Sequence, residues 1–237
     1  MSKKVLIVQN SSHEGPALIE DVLRERGIGL EIVDLAHGES LPSPHSFDAV
    51  VILGGPDSAN DETQKMQSER TFIAQVLAAK IPYLGVCLGL QTLVKVAGGS
   101  VMKNPVREIG FRGPDESLFT VELTSAGKND PLFEGLADSL RVFQLHGETV
   151  SITPDMSLLA TGKFCTNQVV KVGENAYGLQ CHFELTPEKF ESWLVHDPDL
   201  TTMKKDSLRA DFESGRQQYE NVGRTLLTNF LKIAKLL

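Results

Sequence analysis

The chain is poor in cysteine, in basic residues and in long apolar runs, and each shortage removes a class of protein. Its three cysteines, at 87, 165 and 181, are too few and too scattered for a disulfide framework, and they lack the paired spacing of a structural zinc site. No segment approaches the roughly 20 apolar residues of a membrane-spanning helix. The opening MSKKVLIVQN sets two lysines before a four-residue apolar stretch with no small-residue cleavage site after it, which is not the pattern of a signal peptide. Lys and Arg number 23 against 31 Asp and Glu, a net charge of -8, and this argues against a broad phosphate-binding surface and so against a nucleic-acid partner. The expectation is a cytoplasmic protein with reduced thiols and no membrane association.

What remains is ordinary globular composition at a length of 237 residues, against roughly 150 per domain as a prior. The first hundred residues alternate strand and helix signals. Apolar runs at Lys4–Gln9, Leu30–Leu35, Asp48–Leu53 and Ile81–Val86 predict strands, and helical spacing predicts helices over Pro16–Arg26, Asp61–Lys80 and Leu88–Ala97. That alternation implies an α/β fold, an open and mostly parallel sheet flanked by helices with right-handed crossovers. After residue 100 the pattern changes to short strands at Leu118–Leu123, Leu140–Leu145, Ser157–Thr161, Val169–Val172 and Tyr177–His182, with a hairpin turn at Gly173-Glu174-Asn175. Beyond residue 190 the chain is helical again. Val222, Leu226, Phe230, Ile233 and Leu237 form one stripe of a terminal amphipathic helix. The division expected is a domain over residues 1–190 and a helical extension over 191–237 packed on it.

One cysteine stands apart. In PYLGVCLGLQ, Cys87 lies between Gly85 and Gly89, where a strand turns directly into a helix. Backbone must pass close to backbone at such a corner, and residues without side chains allow it. Serine hydrolases raise their nucleophile on a similar corner. The helix N-terminus favours a thiolate there. The N–H of Leu88 can face a developing oxyanion, and a second donor can come from Gly55 in the turn after the third strand.

A thiol attacking an amide needs a base that then protonates the leaving nitrogen. Of six histidines, His182 ends an apolar run and is followed two residues later by Glu184, a spacing that puts both side chains on one face of an extended segment. Cys181 then points the other way, into packing, and Cys165 has no comparable setting. His146, in FQLHGET, fits a loop and a pocket equally well. His13, His37, His45 and His196 sit in polar or proline-broken segments and are expected at the surface.

Three stretches together, ILGGPDS at 52–58, GVCLGLQ around Cys87 and GLQCHFE at 178–184, resemble the signatures of class I, triad-type glutamine amidotransferases, in the family's own order. The resemblance covers about residues 4 to 190 and is closest to free-standing members similar to the GMP synthase glutaminase domain. It implies a flavodoxin-like core, Cys87 as nucleophile, His182 as base and Glu184 as its orienter. It also implies Gly55 and Leu88 as oxyanion donors, and a glutamine pocket lined by Gly54, Gln91, Leu145, His146, Gly147 and Glu148. No metal or organic cofactor is required. The family usually places proline between the histidine and the glutamate, and Phe183 takes that position here. The function implied is hydrolysis of glutamine through a cysteine thioester, with ammonia passed to an acceptor on a separate synthetase or subunit. Two alternatives stay open: a γ-glutamyl peptidase acting on glutathione-like compounds, and a non-catalytic regulatory subunit.

Overall fold

The computed structural model describes residues 3–237. Five strands form a parallel sheet, β1 (Lys4–Gln9), β2 (Gly29–Asp34), β3 (Ala49–Ile52), β4 (Tyr83–Val86) and β11 (Ala176–Leu179), in the spatial order β2-β1-β3-β4-β11. Beyond β11 the same sheet continues antiparallel through β10 (Val169–Val172), β9 (Met156–Gly162), β6 (Thr120–Leu123) and β7 (Ser139–Arg141). The change of direction follows from the β10–β11 hairpin, whose turn holds Gly173 at φ 61° as the sequence pattern anticipates.

The parallel strands are short and apolar throughout because helices cover both faces. Residues of β3 and β4 are buried along their whole length. On one side lie α1 (Leu18–Glu25) and the long α6 (Lys205–Ile233), whose Val222, Leu226 and Phe230 share a core with Val5, Ile7 and Leu84. On the other side Phe72, Ile73 and Val76 of α2 (Gln64–Ala78) and Leu93 of α3 (Leu88–Val96) pack against Leu6, Val50 and Ile52. A third cluster, built from Phe111, Phe143, Phe190, Trp193, Phe212 and Tyr219, joins α5 (Pro187–His196) and the first half of α6 to the sheet.

Several elements differ from the sequence expectation. The sequence pattern gives no strand at Ser100–Gly110, yet an eleven-residue strand, β5, lies there and pairs with β8 (Gln144–Ser151) as a separate two-stranded sheet. Pro105 and two exposed charged positions, Lys103 and Arg107, mask its alternation, and its register shifts between Lys103 and Glu108. The run expected as one strand over Leu140–Leu145 is divided between β7 and β8, which belong to different sheets. The strand expected to end at His182 stops at Leu179, and His182 instead makes an isolated bridge with Phe143. Leu237 lies past α6 and is 47% exposed, so the buried stripe ends before it.

Candidate active site

Cys87 occupies the single residue between β4 and α3 and holds φ 52°. This left-handed backbone is costly for a residue with a side chain and is kept where the surroundings over-determine it. The surroundings here are glycines. A Cβ on Gly85 would come within 2.4 Å of the Gly89 carbonyl carbon, and one on Gly89 within 2.3 Å of the Ile52 carbonyl oxygen. α3 is therefore pressed onto the sheet, and Cys87 stands at its N-terminus beside the free N–H groups of the first turn.

The partner strand supplies the rest. β11 runs parallel to β4 with Leu179 opposite Val86, and the Cys87 N–H donates to the Leu179 carbonyl at 2.7 Å. Neighbouring parallel strands lie about 4.8 Å apart, so the residues that follow their carboxyl ends emerge side by side. His182, 1% exposed, thereby faces the same cavity as Cys87. Its N–H and carbonyl are both tied down, the N–H donating to the Phe143 carbonyl at 2.9 Å and the carbonyl accepting from the Tyr219 hydroxyl at 2.9 Å. Trp193 stands edge-on to the imidazole at 5.0 Å between ring centroids.

His182 Nδ1 and Glu184 Oε1 are 2.6 Å apart, and Glu184 Oε2 accepts the Phe183 N–H at 2.9 Å. Proline at position 183 would have no N–H to give, so this departure from the family pattern adds a hydrogen bond to the carboxylate. The Phe183 side chain packs in the main core, which includes Leu18 and Leu226, and is not part of the cavity wall. Burial pushes the His182 pKa down, but the Glu184 carboxylate and the Cys87 sulfur push it up by more, and the net direction is well above that of a free imidazole.

The cavity in front of Cys87 has a volume of about 430 Å³ and is bordered by Gly55, Gln91, Leu145, His146, Gly147 and Glu148 among the residues expected from sequence. Gly54 is buried behind it. A side chain there would meet Glu14 Oε2 at 2.9 Å, Cys87 Cβ at 3.5 Å and His182 Cε1 at 3.6 Å, so its lack of one is what lets those three groups converge. Leu88 packs its side chain into the core and can present only its amide. His146 is held between the Glu148 carbonyl, 2.9 Å from Nδ1, and the buried Glu108, 2.8 Å from Nε2.

Several residues of the site lie outside the sequence expectation. Gln180 Nε2 donates to Cys87 Sγ at 3.7 Å while its Oε1 accepts from Gln91 at 3.2 Å. The alternation that pairs His182 with Glu184 places Gln180 on that face too, so the signal was present. Ser58 Oγ donates to Glu148 at 2.9 Å, and Arg107 pairs with Asp199 at the rim. Glu14, from the loop after β1, and Asp197 and Asp199, from beyond residue 190, had no local signal at all. Burial pushes Glu14 up to about 7, with the charge of His182 opposing and that of Asp197 adding to the rise. The other two thiols are sealed in. Cys165 is pushed up to about 11 by burial, and Cys181 rises well above its ordinary value for the same reason. His13 and His196 are exposed as expected, but they stack on each other at 4.2 Å.

The family model for class I glutamine amidotransferases matches residues 15–197. The chain belongs to that family. It is 29% identical over 199 residues to the glutamine amidotransferase-like protein YfeJ of Salmonella typhimurium, covering 81% of this chain and 80% of that one. It is 28% identical over 184 residues to a glutamine-hydrolyzing GMP synthase subunit of Sulfolobus acidocaldarius, covering 77% and 89%. Against the whole GMP synthase of Thermosipho melanesiensis it spans 39% of the length. A glutamine amidotransferase crystal structure from Thermotoga maritima superposes with a TM-score of 0.87 at 29% identity, over 99% of each chain. Members of this family are cysteine hydrolases, and a class I amidotransferase in general couples glutamine hydrolysis to ammonia transfer. No helix among the described residues is long and apolar enough to cross a membrane.

Proposed function

We propose that Cys87 attacks the side-chain amide of glutamine, with His182 as its acid and base and Glu184 as the group that orients His182. The observation that carries this reading is the exit of Cys87 and His182 from the carboxyl ends of two adjacent parallel strands into one 430 Å³ cavity, with Glu184 2.6 Å from the far nitrogen of the imidazole. His182 takes the thiol proton, sulfur adds to the amide carbon, and the oxyanion is received by the Gly55 and Leu88 amides. The C–N bond breaks as His182 returns the proton to nitrogen. Water then opens the thioester with His182 as base, giving glutamate and the free thiol. Glu184, held at both oxygens, keeps the imidazole in the tautomer this exchange needs. Gln91, His146, Gly147 and Glu148 lie where the amino-acid end of the substrate would be held.

Similarity to a relative named as a GMP synthase subunit supports delivery of the ammonia to a separate synthetase or acceptor subunit. The need of the nucleophile for a reduced thiol supports a cytoplasmic setting. The core shared by α6 and the sheet supports reading residues 1–190 and 191–237 as one folding unit. A second reading, hydrolysis of γ-glutamyl amides larger than glutamine, is supported by room for a leaving group in a cavity of about 230 Å³ that shares Glu14, Pro56, Asp197 and Pro198 with the first.

The test is release of glutamate and ammonia from glutamine by the purified chain, with mass detection of a γ-glutamyl adduct on Cys87. Cys87→Ala should lower turnover at least about a thousandfold. Release that survives Cys87→Ala, or a thiol that never acquires the adduct, would overturn the proposal.

A further inference from the structure

Chemistry fixes which side of the cavity the leaving group occupies. The amide nitrogen must face His182 Nε2, because that atom protonates it, and Nε2 is buried with no hydrogen-bond partner among the described residues. Beyond His182 the 230 Å³ cavity opens between the loop carrying Glu14, the Trp193 ring and the Asp197–Pro198 turn, and it shares Glu14, Pro56, Asp197 and Pro198 with the catalytic one. Ammonia needs little more room than water, which takes about 30 Å³ in the liquid. The space is built for something larger.

Its charge is one-sided. Glu14 and Asp197 face it, among the described residues no Lys or Arg lines it, and the other titratable groups on its wall are the stacked imidazoles of His13 and His196. Of the neighbouring ammonium groups, Lys65 pairs with Asp57 at 2.6 Å and Lys189 donates only to the His13 carbonyl at 3.3 Å, outside the cavity lining. Asp197 uses Oδ1 to accept the Asp199 and Leu200 N–H groups at 2.9 Å each, while Oδ2 and the Glu14 carboxylate accept no hydrogen bond among the described residues. Trp193, 2% exposed, borders the cavity with a buried Nε1–H that has no acceptor among the described residues, a donor that a bound water would meet, since an ammonium carries no acceptor. Indole faces also attract cations. Burial is the main cause of the raised Glu14 pKa, with the charge of His182 opposing the rise and that of Asp197 adding to it, and a cation placed between the two carboxylates would relieve their repulsion.

We propose that this cavity is a leaving-group subsite for γ-glutamyl amides of amines that carry a second, protonated amino group, and that Glu14 and Asp197 select against leaving groups bearing a carboxylate. The inference rests on the Cys87 thioester mechanism above and follows its atoms. Sulfur bonds to the γ-carbonyl carbon, the C–N bond breaks, His182 gives its proton to the departing nitrogen, and the diamine leaves. Water then breaks the C–S bond, releasing glutamate and restoring the thiol.

The purified chain should be assayed at about pH 8, above the Glu14 value of about 7 so that this group is ionised, with glutamine and with three amides of equal chain length: γ-glutamyl-diaminopropane, γ-glutamyl-propylamide and γ-glutamyl-β-alanine. The expected order of kcat/KM is cationic, then neutral, then anionic, with the cationic amide ahead of the anionic one by about 30-fold at low salt. Glu14→Gln and Asp197→Asn, each of which keeps a side-chain acceptor, should each shrink that ratio by about 5-fold. Glutamine turnover with a wild-type ratio near one, or inverted, overturns the subsite, as does a ratio untouched by both substitutions. The wild-type ratio needs no variant to fold. Absence of turnover on every compound together with no adduct on Cys87 is a separate outcome, which overturns the mechanism beneath and the subsite with it.

Discussion

Glu184 touches two donors, and this makes the consequence of Glu184→Gln calculable. Oε1 lies 2.6 Å from His182 Nδ1, and Oε2 accepts the Phe183 N–H at 2.9 Å. A glutamine has one oxygen for two places. If its oxygen faces His182, its NH₂ abuts the Phe183 N–H, a donor–donor contact costing about 1–3 kcal/mol. If it turns over, the NH₂ faces Nδ1 and selects the tautomer protonated on Nε2, which cannot take the thiol proton, a fault worth about 10⁴-fold in serine-protease triads. The second keeps both hydrogen bonds and is the resting arrangement, while turnover proceeds through the first at its cost of about 1–3 kcal/mol, so Glu184→Gln should cost about 5- to 150-fold at 1.36 kcal/mol per tenfold. Phe183→Pro removes the clashing N–H. In that background Glu184→Gln should be less harmful by about 5-fold or more, a coupling of about 1 kcal/mol. The assay is kcat/KM for glutamine across the four proteins of the cycle, each held well below its melting temperature because Phe183 is also a core residue. Equal penalties in both backgrounds, within about twofold, would refute the reasoning.

Two further outcomes follow from the same geometry. Tyr219→Phe deletes the hydroxyl that donates to the His182 carbonyl at 2.9 Å and accepts the Leu185 N–H at 3.4 Å; urea unfolding should show a loss of about 1–3 kcal/mol, and an unchanged midpoint would show that α6 does not hold the triad segment. Glu14 has its pKa raised from 4.5 to about 7 in the folded chain, so its contribution to stability is full below about pH 4.5 and is lost as pH rises through about 7. Glu14→Gln should therefore gain on wild type between those limits, by at most about 3 kcal/mol. Unfolding titrations at about pH 4.5 and pH 8 that give the same difference would contradict a half-buried, proton-retaining Glu14.

Much of this protein is determined by local chemistry that can be read along the chain. The strand-to-helix corner at Cys87 requires glycines at 85 and 89 wherever it occurs, because the close approaches at 2.4 Å and 2.3 Å leave no space for a Cβ. The His182–Glu184 pair depends on two-residue alternation, and that alternation holds even though β11 stops at Leu179. Apolar runs locate the parallel strands to within a few residues, since strands covered on both faces can carry little else.

Tertiary structure decided what no window of sequence contains. That Cys87 and His182 meet at all depends on β11 taking the place beside β4, although helices, loops and the strands from β5 to β10 intervene in the chain. The β5–β8 sheet is hidden because a two-stranded ribbon with one exposed face needs few apolar residues. Glu14, Arg107, Asp197 and Asp199 reach the cavity from three separate segments. Isolated charged residues resemble any solvated surface until folding encloses them, and their chemistry changes only when desolvation and neighbouring charges act together.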